Sequence, residues 1–153
     1  MAYNKGHFDL AAPSGQSRFH DELGLKNLGV TVHVLARGEG FDFFHNHREQ
    51  EEVYFCLAGC ATLRIGGEQP ELLHLQPGDA VRVDAATLRA IGNDSCERAV
   101  VLITGACPHP YPAGIGHHDV IADVLTMTGV GETGFTLPPY IQTSSASFDD
   151  DDC

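Results

Sequence analysis

Residues 41–55, FDFFHNHREQEEVYF, set His45 and His47 one residue apart and then run two glutamates into an apolar segment. Imidazole and carboxylate are the usual ligands of borderline divalent metals, so their clustering raises the question of a metal site. On a strand, side chains two residues apart project on the same face, and both imidazoles can then reach one ion. On a helix they would diverge. Phe41 and Phe43 share that face, and imidazoles buried against phenylalanine are costly unless something satisfies their nitrogens. Glu52 lies five residues after His47, an odd offset that would send it to the opposite face of an uninterrupted strand. The chain must therefore turn through Arg48, Glu49, Gln50 and Glu51 and bring Glu52 back on a second strand. Two histidines and one carboxylate form the facial set that leaves open positions on iron, and they suit zinc, manganese or nickel equally.

With Glu52 inward, Tyr54 and Cys56 face the interior as well, and Val53, Phe55 and Leu57 point outward. Tyr54 is then a phenol beside Glu52, placed for acid chemistry or for hydrogen-bonding a ligand, or simply a core tyrosine with its hydroxyl satisfied. An outward face so apolar needs a cover, and a second copy of the chain is the expected one.

The elements that position these residues are short. From Val30 to about Gly105, β-branched and aromatic runs are cut by Gly, Pro, Asn and Asp, the pattern of an all-β sandwich or barrel. Strands are predicted at 30–35, 41–47, 52–57, 61–65, 71–75, 80–83, 88–91 and 99–104. A helix is predicted near 19–27. Past Thr104, Pro108, Pro110, Pro112, Gly114 and Gly116 mark an extended segment, followed by a modest apolar stretch at 120–127.

With 153 residues the chain has room for one domain with a real core. No apolar run is long enough for a bilayer, and the first residues lack a secretory pattern, so the expectation is a cytoplasmic protein. The five cysteines are odd in number and lack paired spacing, and they read as free thiols. A formal charge of −12 opposes nucleic acid and anionic membranes as partners. Part of that charge is the tail Asp149–Asp152, which follows a serine-rich segment and reads as solvated and disordered.

His45-x-His47, four residues, Glu52, six residues and Gly59 resemble the first motif of the cupin superfamily. Pro77-Gly78-Asp79 and Asn93 resemble parts of the second. The resemblance covers roughly residues 28–105 and implies a jelly-roll β-barrel, often homodimeric, with a divalent metal on His45, His47 and Glu52. The spacing to Gly59 selects Glu52 over Glu51. On this reading residues 1–27 are an N-terminal arm, 28–106 the barrel, 107–143 an extension packing on it and 144–153 the acidic tail. Two departures stand out: Gly38 and Gly40 flank the place of the family's first glycine, and Arg89 stands where a fourth ligand, a histidine, would be.

A guanidinium does not ligate metals, so three arrangements are open. Arg89 could clamp a small anionic substrate beside a three-ligand metal, could pair with Glu52 and replace the metal, or could leave another histidine to complete the site. The resemblance implies isomerisation, decarboxylation or oxygen activation where the site is catalytic, with Arg89 and Tyr54 as its acting side chains; the alternative is a metal-free ligand-binding or regulatory cupin. Of the other histidines, His33 has no settled face, His74 reads as a surface position, and His117-His118 belong to the extension. His7, His20 and His109 carry no signal.

Overall fold

In the strand that follows the histidines, buried Glu52, Tyr54 and Cys56 alternate with the more exposed Glu51, Val53, Phe55 and Leu57. That period of two is the one the sequence pattern demands. A computed structural model describes residues 3–106 and 124–138. Within them the elements are β1 (Gly15–Arg18), α1 (Phe19–Leu23), β2 (Leu28–Leu35), β3 (Phe44–His47), β4 (Glu51–Ala58), β5 (Ala61–Ile65), β6 (Glu71–Leu75), β7 (Ala80–Val83), β8 (Arg89–Gly92), β9 (Ala99–Ala106) and β10 (Val124–Thr128).

The strands form two antiparallel sheets, ordered β1-β2-β9-β4-β7 and β10-β3-β8-β5-β6. The chain crosses repeatedly from one sheet to the other, as a jelly roll requires. Among the described residues no continuous ladder joins the sheets, so the expected barrel is flattened and open rather than closed. Its filling comes from the inward positions of both sheets, among them Leu35, Tyr54, Cys56, Leu63, Leu75, Ile91, Val101 and Ile103.

The helix is shorter than predicted. Gly24 takes a φ of 65°, the left-handed conformation that ends a helix, one residue past Leu23. The strand carrying the histidines starts at Phe44 rather than Phe41. The backbone ahead of it bonds elsewhere: Phe41 N–H donates to Ile91 O and Gly131 N–H to Asp42 O. Two strands were not anticipated. β1 adds to the edge of β2, and β10, within the stretch read only as apolar, pairs with β3.

Both outer faces are partly covered by the chain itself. Phe8 and Phe19 pack on Val32, Val34 and Val100 of the first sheet. On the second, the Phe135 ring lies where a Cβ on Gly92 would project, so only glycine admits it. Arg64 caps that ring, its guanidinium carbon 3.8 Å from the centroid.

Candidate metal centre

β3 belongs to the second sheet and β4 to the first, so the polar turn between them carries the chain across the sandwich. This is why an odd offset in sequence becomes a shared interior in space: His45 and His47 enter from one wall, Glu52 and Tyr54 from the other. Arg89, at the start of β8, is the register partner of His45. All five side chains are buried. Backbone His47 N–H donates to Ala85 O at 2.8 Å and anchors the end of β3 to the turn before β8.

His47 Nε2 lies 3.3 Å from Glu52 Oε1, and His45 Nε2 lies 3.9 Å from Glu52 Oε2. One donor atom from each of the three residues falls within 4.8 Å of the others, and among the described residues no other such group exists. Donors about 2.1 Å from one ion at octahedral to tetrahedral angles stand about 3.0–3.4 Å apart, so the set would draw together by about an ångström or more to hold one. The expected phenylalanine wall is present: the His45 centroid is 5.5 Å from that of Phe41 and 5.8 Å from that of Phe43.

The carboxylate of Glu52 is held from several sides. Its Oε2 accepts from Tyr54 Oη at 2.6 Å and from Arg89 Nε and Nη2 at 3.2 and 3.0 Å. Its Oε1 accepts from Gln50 Nε2 at 3.0 Å. Burial opposes ionisation of Glu52, but His47, His45 and Arg89 together hold the carboxyl well below the usual carboxylate range. Burial also drives His45 down to about 3, outweighing the attraction of Glu52, so near neutral pH its imidazole is uncharged with a lone pair to offer. Burial first, then the neighbouring Glu52, pushes the Tyr54 phenol well above its ordinary value. Tyr54 is therefore a donor here and not a base.

Arg89 is turned toward Glu52 rather than presented to an incoming anion. Its Nη1 donates to Ala85 O and Thr87 O at 3.0 and 2.8 Å, so four of the five guanidinium N–H groups are engaged. Of the three arrangements open to the sequence, the Glu52 ion pair is the one these contacts form. His33 is buried edge-on to Phe41 at 5.6 Å but stands outside the ligand cluster. His74 is exposed, as expected. His117 and His118 lie outside the described residues. Asn93 is a loop clamp, its amide donating to Leu35 O and Glu97 O.

Do these residues fit a metal? His45 Nδ1 and both ring nitrogens of His47 are buried without a hydrogen-bond partner among the described residues. His47 Nε2 is close to Glu52 Oε1 yet lacks hydrogen-bond alignment. An unsatisfied buried polar atom costs about 1–3 kcal/mol, and a cation shared with Glu52 would satisfy His47 Nε2. The donor set fits.

Residues 31–105 match a family model described as a cupin domain. The chain belongs to the cupin superfamily. No curated protein sequence matches this cupin. Among solved structures it is similar to a cupin protein from Bacteroides fragilis, with 29% identity, a TM-score of 0.61, and coverage of 71% of this chain and 86% of that one. It is also similar to a putative sugar phosphate isomerase from Acidithiobacillus ferrooxidans, with 26% identity, a TM-score of 0.52, and coverage of 61% and 58%. A cupin-superfamily sugar phosphate isomerase from Silicibacter pomeroyi shares the fold at 24% identity, with a TM-score of 0.54 and coverage of 61% and 59%. This cupin thus spans under two thirds of either isomerase.

The contact of Gln50 with Glu52 was not foreseen. Gln50 belongs to the polar turn of the sequence, yet its amide is buried against the carboxylate and lies over Gly105 of β9.

Proposed function

We propose that this cupin holds one divalent metal ion on His45, His47 and Glu52 and binds a small anionic metabolite beside it. The observation that carries the reading is the buried convergence of one donor atom each from His45, His47 and Glu52, with His47 Nε2 left without a hydrogen-bond partner 3.3 Å from Glu52 Oε1. Iron, manganese, nickel and zinc all suit these ligands. When bound, such an ion supplies Lewis acidity, or with iron an oxygen-activating centre.

The charge balance points to the ligand. Glu52 and Arg89 cancel one another, and His45 brings no charge at neutral pH. A divalent ion would then leave its charge uncompensated in a buried site, a cost that an anionic ligand removes. The likeness to a putative sugar phosphate isomerase supports a phosphorylated metabolite and an isomerase-type reaction; decarboxylation and oxygenation use the same ligands. Tyr54 donates a hydrogen bond and keeps Glu52 in place, and Arg89 serves as its counter-ion. The protein acts in the cytoplasm as a homodimer, joined through the outer face of the first sheet.

The second reading is a metal-free binding or regulatory cupin, favoured by the Arg89 to Glu52 ion pair, which neutralises the buried carboxylate without a metal. Elemental analysis of untagged protein purified without chelator separates the two. Near-stoichiometric metal that disappears in His45→Ala/His47→Ala supports the first. Protein that takes up no metal even after reconstitution supports the second.

A further inference from the structure

We infer that Gln50 is a positioning residue for the metal-binding carboxylate, and that Gly105 makes its place possible. The inference rests on the metal reading above and deepens it. Gln50 is buried, and a carboxylate can only accept, so the amide must turn its nitrogen, not its oxygen, to Glu52 Oε1. That oxygen is the one facing His47.

Gly105 on β9 is the register partner of Glu52 on β4. A Cβ there would stand 2.6 Å from Gln50 Cδ and 2.8 Å from Cγ, closer than packed atoms approach. The missing side chain at Gly105 is therefore the slot in which the Gln50 amide lies. With Tyr54 and Arg89 on Oε2 and Gln50 on Oε1, the carboxylate plane is fixed from both ends. Oε1 keeps a lone pair toward His47, and Oε2 is already saturated by donors. Glu52 is thus set up to offer a metal one oxygen rather than two.

The test measures Zn(II) affinity by competition with a chromophoric chelator, and the ligand-field bands of the Co(II)-substituted protein, for wild type, Gln50→Met and Gly105→Ala. Methionine keeps the length of glutamine and removes its donor; alanine at 105 displaces the amide while leaving Gln50 in the chain. Both variants are expected to bind Zn(II) about 10- to 100-fold more weakly, the usual effect of removing a residue that orients a ligand. Both should also shift the Co(II) bands, which a mere loss of stability would not do. Should one variant fail to fold, the other decides. Wild-type affinity and bands in the folded variant overturn the role of Gln50 while leaving the metal centre standing. A wild-type protein that binds neither ion overturns both.

Discussion

Arg89 carries the sharpest consequence at the scale of single residues, because it joins a buried cation to a buried anion across the two sheets. Breaking such a pair from one side strands a charge, and typical losses are about 3–5 kcal/mol, whereas replacing both partners with apolar groups of similar volume is often close to neutral. Arg89→Ala is accordingly expected to lower unfolding free energy by about 3 kcal/mol or more. Glu52→Leu/Arg89→Met should recover most of that loss, as read by urea denaturation of chelator-treated protein. If Arg89→Ala is as stable as wild type, the pair is not what holds the site together. The pH dependence has a definite sign. The folded-state pKa of Glu52 lies below its reference of 4.5, and that of His45 falls from 6.5 to about 3. In both cases the unfolded chain binds more protons than the folded one, so stability rises with pH. The His45 contribution is lost as pH falls from about 6.5 to 3, and that of Glu52 is lost below about 4.5. Thermal melts of metal-free protein between pH 7 and pH 4 should therefore show a falling midpoint, with a shallower slope in His45→Gln. A midpoint that rises on acidification would contradict both shifts.

Elements show which part of this the sequence could convey. The period of two in EVYFCL placed Glu52, Tyr54 and Cys56 inside and Phe55 and Leu57 outside, and the structure agrees, because alternation is a local property of a half-buried strand. The histidine pair was legible for the same reason. β1 was not: Gly15–Arg18 has no apolar alternation, and it becomes a strand only through pairing with β2 along Gly15 to Val34 and Arg18 to Thr31. β10 owes its place to β3 in the same way, with a register shift between Val124 and Thr126. The contacts of Arg89 were only half legible, since residue type allowed an anion clamp as readily as an ion pair. What decides between them is that β8 sets Arg89 opposite His45 while the turn before it offers the carbonyls of Ala85 and Thr87. Gln50 was illegible because its burial depends on the absence of a side chain at Gly105, far along the chain on another strand.

At the scale of the whole molecule, a balance of apolar surface against charge governs association. The N-terminal arm covers Val32, Val34 and Val100, but Leu28, Phe55 and Leu57 on the same sheet remain 43%, 37% and 45% exposed. Exposed apolar residues grouped on one sheet face mark association surfaces in soluble proteins. Opposing this, each chain carries a formal charge of −12, so bringing two copies together concentrates like charge. Apolar burial is insensitive to modest salt, whereas long-range repulsion is screened within about 8 Å at physiological ionic strength. Added sodium chloride should therefore strengthen self-association, the reverse of what an interface built on salt bridges would show. Sedimentation velocity is expected to give a species of about twice the 16.4 kDa chain mass, more populated at higher salt. Phe55→Lys/Leu57→Lys should shift it to the single-chain mass with metal content unchanged, since both side chains point away from His45, His47 and Glu52. A wild-type protein that sediments as one chain at every salt concentration would remove the homodimer and leave this face to solvent or to a different partner.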